Sequence, residues 1–314
     1  MNIKSILVTG GAGFIGSNVC EQLIQKGHRV TAIDNLRRGK LSNISQLLQN
    51  VNFKFINGDL LDPTFSESNI KDFDCVIHLA ANADVKGGVL DTHVDLRYNT
   101  ILTHNILESM RKNNITNIIF SSTGSVYGEP TIFPTPECAP FPIQTSLYAA
   151  SKVACEGLIS SYCEAFGIQA TVFRFVSILG KNYSHGHVID FFNKLKNDPR
   201  NLEILGDGNQ RKSYLHVNDC CDAIDKFLNI QSKKSYEVYN LGFDGYISVI
   251  ESAKHICNAL KVKPKFHFTG GKRGWVGDSP FIHLDTKKIK KVGWEAKYDI
   301  LESINDTVFF LLSK

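Results

Sequence analysis

The stretch "ILVTGGAGFIG", residues 6–16, decides the fold. Ile6 to Thr9 read as the end of a buried strand, and Phe14 opens a helical stretch that runs to Lys26. Between them Gly10, Gly13 and Gly16 form Gly-x-x-Gly-x-x-Gly. Glycines so placed let the backbone turn tightly and approach a pyrophosphate. The helix behind them offers its free amide donors and the positive end of its dipole. Three glycines alone are weak evidence; a strand before them and a helix after them are the context the motif requires. Gly10, Gly13, Phe14, Ile15 and Gly16 are therefore candidate dinucleotide-binding residues, and a structural loop without a nucleotide is the alternative.

Outward from that loop, apolar strands alternate with helical stretches through the first 175 residues. "SILVT", "RVTAI", "NFKFI", "CVIHLA", "NIIFSS" and "ATVFRF" read as strands, with Phe14–Lys26 and Thr92–Asn113 among the helices. Such alternation predicts an α/β fold: a Rossmann-like, doubly wound parallel sheet covered on both faces. Asp34 closes the second strand, where a carboxylate accepts hydrogen bonds from ribose hydroxyls and repels a 2′-phosphate, so NAD is favoured over NADP. Arg37 and Arg38 argue the other way, but they follow Asn35 in the turn-like "NLRRGKLSN". Asp59 and Leu60 in "NGDLLD" fall near an adenine. Leu79, Ala80 and Ala81 in "HLAAN" follow the fourth strand and are small enough to let a cofactor approach.

After Arg174 the alternation weakens and loops such as "GKNYSHGH" and "GDGNQRKS" appear. The expected division is residues 1–175 as an NAD-binding domain and residues 176–314 as mainly a smaller, C-terminal substrate-binding domain. The late strand "YEVYNLG", 236–242, returns to the first domain. Helices are expected over Val217–Ile230, Val249–Leu260 and Ile300–Leu312.

The 314 residues carry a net charge of only +4, with 43% hydrophobic and 21% charged residues, which speaks against a nucleic-acid binder. The basic run "KKIKK", 287–291, reads as a solvated helix face around Ile289. No apolar run approaches the roughly 20 residues that span a bilayer. "MNIKSILVTGG" lacks the pattern of an export signal. The eight cysteines are scattered, with no Cys-x-x-Cys, and read as reduced thiols of a cytoplasmic protein. His185 and His187 flank Gly186 but lack further ligands at useful spacing. No metal is expected there, and a substrate-loop or capping role is.

"LYAASKVACEG", 147–157, places Tyr148 and Lys152 one helical turn apart on one face. A phenol keeps its proton to a pKa of about 10, and a fixed ammonium beside it lowers that value. Taken alone, the pair reads more readily as an amphipathic helix with a solvated lysine than as an acid–base device.

Context changes that reading. "TGGAGFIG", Asp34, "GDL", "HLAA", Asn99 in "RYNT", "SSTGSVYGEP", "YAASK" and "RKSYLHVNDC" occur in order over nearly the whole chain. Together they resemble the extended short-chain dehydrogenase/reductase family, and within it the NAD-dependent nucleotide-sugar epimerases and dehydratases. The resemblance implies a catalytic set of Thr123, Tyr148 and Lys152. Tyr148 would remove a sugar hydroxyl proton, Lys152 would hold the nicotinamide ribose, and Thr123 would hydrogen-bond the reacting oxygen. It adds Asn99, Tyr148 and Lys152 to the cofactor group, and a nucleotide-diphosphate sugar as substrate, with Lys86, Thr123, Ser177, Arg211, Arg273 and Asp278 against it. Asp84 and Gly87 lie beside Lys86 in the same loop. A homodimer through Thr92–Asn113 and Leu147–Phe166 is also implied.

Family dehydratases place Asp-Glu, and decarboxylases a Glu, before "VYG"; here stand Gly124 and Ser125. A serine without an activating partner is a poor general base. Oxidation at C4, rotation of the 4-keto sugar and reduction from the other face remain, which is a 4-epimerisation. Glu129 and Pro130 after "VYG" discriminate little. Ser177 stands where epimerases carry Asn, and Trp275 where they carry a phosphate-binding Arg, with Arg273 two residues earlier as the candidate substitute. A dehydratase or 4-keto reductase on the same scaffold, and a non-catalytic NAD-binding regulator, are the other readings.

Overall fold

Continuous apolar runs become the strands of one sheet. The computed structural model describes residues 3–140, 143–230, 234–275 and 277–314. In it β1 (Ser5–Thr9), β2 (Arg29–Asp34), β3 (Phe53–Asn57), β4 (Cys75–His78), β5 (Asn117–Thr123), β6 (Gln169–Phe175) and β7 (Tyr236–Leu241) pair in the order β7-β6-β5-β4-β1-β2-β3. The pairings from β3 across to β5 are parallel, with Val8 opposite both Ala32 and Ile77. This is the expected Rossmann-like doubly wound sheet. Strand order reverses between β1 and β4, and in such sheets ligands bind outside the C-terminal strand ends at that point. Ile6, Leu7 and Val8 have no exposed surface. Helices on both faces explain why β1 reads as unbroken apolar sequence rather than alternating.

The helices are α1 (Phe14–Gln25), α2 (Pro63–Asn69), α3 (Leu102–Lys112) and α4 (Leu147–Phe166). Leu7, Val76, Ile106, Met110, Phe120 and Ile159 meet in one core cluster. α4 starts at Ser146, whose hydroxyl accepts from Ala149 N at 3.1 Å, and stops at Gly167, which adopts φ 71°. Its inner face carries Ala149, Lys152, Cys155, Glu156, Ile159 and Cys163, the spacing of a helix packed on a sheet. On that face Glu156 receives a bidentate pair of bonds from Arg174, at 3.0 and 2.7 Å, and a third from the Ser122 hydroxyl. Both charged groups are almost wholly buried.

One helix departs from expectation. Thr92–Asn113 is not a single α-helix: a short turn, His93–Asp95, leads into a π-turn, Leu96–Ile101, and only then into α3. The extra residue of a π-turn rotates the helix before it relative to the helix after it. Here Asp95 and Asn99 both point inward and are buried. π-turns of this kind gather at functional sites.

The chain divides into two compact units, Met1–Val126, Ser146–Arg174 and Cys221–Tyr239 in one, and Tyr127–Thr145, Phe175–Cys220 and Asn240–Lys314 in the other. The second holds α5 (His187–Asn197), α7 (Val249–Ala259) and α8 (Ile300–Leu312), while α6 (Val217–Phe227) starts in it. Capping boxes, Ser248 with Glu251 and Asp299 with Glu302, start α7 and α8. Short strands complete this unit. Arg211–Lys212 lies between Ile247–Ser248 and Phe281–Ile282, and Ser177–Leu179 runs parallel to Tyr214–His216.

All eight cysteines are free thiols, and only Cys138 is exposed. Among the described residues no helix is long and apolar enough to cross a membrane, and no cluster of His, Cys, Asp and Glu is suited to a metal. His187 heads α5 with Nε2 2.6 Å from the Ser252 hydroxyl and Nδ1 3.1 Å from the Tyr214 hydroxyl; His185 bonds Ser184 instead. "KKIKK" is a helix around a fully buried Ile289.

Candidate active site

The loop after β1 is shaped by what a side chain would strike. Gly10 adopts φ 70°, and a Cβ there would lie 2.8 Å from Ala80 N and 2.9 Å from Ala80 Cα. Gly10 thus brings the β1 loop against the β4 loop at the switch point. A Cβ on Gly16 would stand 2.1 Å from Gly10 O, so α1 packs onto the loop only because Gly16 has none. Gly13 is the N-cap of α1 and offers no side chain to its first N–H groups. A helix N-terminus without a side-chain cap is the fit a dinucleotide pyrophosphate requires.

Asp34 is buried at the end of β2. Oδ2 accepts from Ala12 N at 3.1 Å and Oδ1 from Leu36 N at 2.8 Å. Burial raises its pKa, and those two N–H donors pull it back. Asn35 donates to Asp59 at 3.2 Å, and Asp59 also accepts from Leu61 N at 2.9 Å, so the ends of β2 and β3 are tied together. Leu60 is buried, and its carbonyl accepts from the Ser66 hydroxyl and from Asn105. Leu79, Ala80 and Ala81 lie half-buried past β4, with Ala80 N donating to the Thr9 hydroxyl at 3.2 Å. Phe14 is buried and Ile15 half-buried on the first turn of α1. The two arginines after Asp34 turn elsewhere: Arg37 stacks on Tyr98 at 4.1 Å, and Arg38 pairs with Asp84 at 3.6 Å and donates to Asn82.

Thr123, Tyr148 and Lys152 come together where β5 ends beside α4. Lys152 is 2% exposed, donates to Ser121 O at 2.8 Å and lies 4.6 Å from the centre of the Phe120 ring. Burial lowers its pKa to about 8, against smaller pulls from Cys155, Glu156 and Asp95. Burial also pushes the Tyr148 phenol up to about 12; a hydrogen bond with Thr123 opposes the rise, and the Asp95 carboxylate adds to it. Thr123 in turn accepts from Ser125 N at 3.1 Å. Gly124 and Ser125 bring no carboxylate, as the sequence indicates.

Three residues here were not legible in the sequence. Asn99, a predicted cofactor residue, donates to Ser151 at 2.8 Å and to Asp95 at 3.2 Å, while accepting from Asn82 N at 2.8 Å. Asn82 and Asp95 were not singled out. Nor was His78, wholly buried at the end of β4. Its Nδ1 lies 2.9 Å from the Thr9 hydroxyl and its Nε2 3.0 Å from that of Thr103. Thr103 donates onward to Cys155 Sγ, so it accepts from Nε2–H, and Nδ1 accepts from Thr9. Burial, with Lys152 nearby, holds this imidazole neutral, well below its ordinary pKa. Through Thr103 it links the end of β1 to α4.

Of the substrate candidates, Lys86 is exposed in the β4 loop of the first unit. Thr123 lies in the same unit, and Ser177, Arg211, Arg273 and Asp278 lie in the second. Asp278 is buried, bonds Lys212 Nζ at 2.7 Å and accepts from Gly274 N at 3.1 Å. Arg273 pairs with Glu129. Arg211 projects from the other side of its short strand than Lys212, with its guanidinium 4.2 Å from the Phe281 ring centre and 5.2 Å from that of Tyr246. Ser177 is exposed at the start of its strand. Lys212 is a cation the sequence reading passed over. Of "KRGWVGD", Val276 lies outside the described residues.

Comparison with known proteins bears on the family and the fold. Residues 6–242 match the model of the NAD dependent epimerase/dehydratase family. A Methanocaldococcus jannaschii protein, provisionally named UDP-glucose 4-epimerase, is 34% identical over 310 residues, 96% of this chain and 97% of its own. Mouse dTDP-D-glucose 4,6-dehydratase is 29% identical over 324 residues, 97% of this chain and 88% of the mouse protein. The crystal structure of Thermus thermophilus UDP-glucose 4-epimerase in complex with NAD superposes with a TM-score of 0.86 at 31% identity, over 98% of this chain and 99% of that one.

Proposed function

Because the chain belongs to the NAD-dependent epimerase/dehydratase family, we propose that it inverts C4 of a nucleotide-diphosphate sugar through a 4-keto intermediate. The observation that carries this reading is the Thr123–Tyr148–Lys152 set with no carboxylate on Gly124 or Ser125. A dehydratase needs a further acid and base for the ketone, and a regulator needs no buried lysine beside a tyrosine.

NAD, when bound, supplies the hydride acceptor and donor. The rest is the work of this chain. The α1 N-terminus and the glycine loop hold the pyrophosphate, and Asp34 holds the adenosine ribose, with Asn35, Asp59, Leu60, Leu79, Ala80, Ala81 and Asn99 around the cofactor. Lys152 keeps donors for the nicotinamide ribose beyond the one it gives to Ser121 O. Its ammonium favours the Tyr148 phenolate, which takes the proton of the sugar O4 hydroxyl and later returns it to the same oxygen. Thr123 holds that oxygen in line.

Turnover in heavy water tests the reaction type. A hydride that leaves and returns to one carbon never exchanges with solvent, so the expected product has unchanged formula and no carbon-bound deuterium. Deuterium at C3, C5 or C6, or a product lighter by one water, would reject the 4-epimerase reading.

The nucleotide-sugar contacts in this reading are Lys86, Ser177, Arg211, Arg273 and Asp278, with Lys212 as a further cation. Arg211→Ala is expected to weaken nucleotide-sugar binding roughly tenfold to a hundredfold, the loss of a charged hydrogen bond, with NAD affinity unchanged. Calorimetric titration with each ligand reads this directly; equal losses for both place Arg211 elsewhere.

A homodimer in the reducing cytoplasm completes the proposal. Leu96, Ile101 and Leu147 are large apolar residues exposed on the two segments expected to dimerise, and all eight thiols are free. Sedimentation equilibrium showing a monomer at micromolar concentration would refute the dimer.

A further inference from the structure

Asp95 is 1% exposed, in the segment that leads into the π-turn. One carboxylate oxygen, Oδ1, accepts from Asn82 Nδ2 at 2.9 Å and from Asn99 Nδ2 at 3.2 Å. Oδ2 is buried without a hydrogen-bond partner. It faces Gly88, where a Cβ would stand only 2.4 Å away. A carboxylate so placed costs stability, because its charge is desolvated and half its acceptor capacity unused.

The surroundings say what that cost serves. Asn99, held by Asp95, also donates to Ser151, and Ser151 donates to Tyr148 O at 2.7 Å. Two side chains thus connect Asp95 to the backbone of the catalytic tyrosine. Each element around Asp95 contributes one facing group or more. The β4 loop brings Asn82 and Asp84, the latter paired with Arg38; the π-turn brings Asn99; α4 brings Tyr148 and Lys152. Lys152 is the cation among them, and in the proposed reaction its charge favours the Tyr148 phenolate. An epimerase needs the opposite as well. The phenolate oxygen takes a proton from the sugar hydroxyl in the first half and must give it back to the same oxygen in the second.

We propose that Asp95 is a positioning residue of the catalytic pair, fixing the Asn82–Asn99 wall and setting a negative charge against Lys152 so that Tyr148 serves as acid and base alike. This rests on the epimerase reading for its purpose but not for its test. Proton transfer both ways through one group is fastest when the two protonation states are close in free energy. The field of Asp95 does raise the Tyr148 pKa and that of Lys152, after the larger effects of burial.

The test is a titration of the NAD-bound protein without sugar. Phenolate absorbance of Tyr148 is read as the difference between each protein and the same protein carrying Tyr148→Phe. Asp95→Asn keeps the shape and an acceptor and deletes the charge. The midpoint is expected to fall by about one pH unit, the scale of one charge several ångströms away at an effective dielectric near 20. The acid limb of kcat/KM moves the same way. An unchanged midpoint overturns the proposal. Should Asp95→Asn fail to bind NAD, Asp95→Ser repeats the measurement with a smaller acceptor. An unchanged midpoint there, or loss of NAD binding in both variants, makes Asp95 a residue of the fold alone and overturns the proposal equally. A wild-type protein that epimerises no nucleotide sugar refutes the epimerase reading and leaves the midpoint result standing.

Discussion

Tyr148→Phe is expected to lower turnover by roughly a thousandfold, in the range that general acid–base groups contribute. The ring remains, so its packing on α4 is kept, and only the oxygen that moves the proton is lost. Because the bond that phenol makes is with Thr123, NAD affinity and the thermal midpoint are expected to stay near wild type. Single-turnover assays with an accepted nucleotide sugar, beside NAD titration and a melt, separate these effects. Turnover within about tenfold of wild type would remove Tyr148 as the group that moves the proton.

Gly10→Ala and Gly167→Ala form a matched pair with very different expected results. The two glycines share nearly one conformation, φ 70° and φ 71°, so each Cβ meets the same left-handed penalty of roughly 1–2 kcal/mol. At Gly167, which ends α4, nothing lies within 4 Å of the new atom. Stability falls by that penalty, and NAD binding does not change. At Gly10 the new atom meets the Ala80 backbone at 2.8 Å, and backbone cannot rotate aside. The loops after β1 and β4 must part at the switch point, and NAD affinity is expected to drop well over tenfold, more than about 1.4 kcal/mol. Equal NAD binding by the two variants would show that the contact between those loops does not shape the cofactor site.

The first six strands were legible because a parallel strand buried on both faces spells an unbroken apolar word, as "SILVT" does. Glycines, Asp34 and the Tyr148–Lys152 spacing stand in the sequence as chemistry at fixed intervals, and their order supplied the family. What stayed hidden depends on distant partners. The π-turn before α3 is set by Asn99 meeting Asn82 N and Ser151, and nothing in "LRYNTI" breaks helical periodicity. His78 hides inside "HLAA" because its relay of three hydrogen bonds joins residues far apart in the chain. Lys212 was passed over for Arg211 because a strand of two residues shows no alternation, and its partner Asp278 is 66 positions away.

The buried pair of Glu156 and Arg174 constrains how this chain can change through descent. Losing either partner first strands a charge with no water to receive it, at about 3–5 kcal/mol. That is a large part of the roughly 5–15 kcal/mol by which a domain of ordinary stability stays folded. Replacing both with well-packed apolar residues is often neutral or better. The two end states are thus comparable in fitness while the single steps between them are not. The Ser122 hydroxyl, which also bonds Glu156, deepens the valley by adding a third position that must change in concert. Lineages that inherit this pair are expected to keep it even where it adds nothing to stability, held by the order in which substitutions can arise.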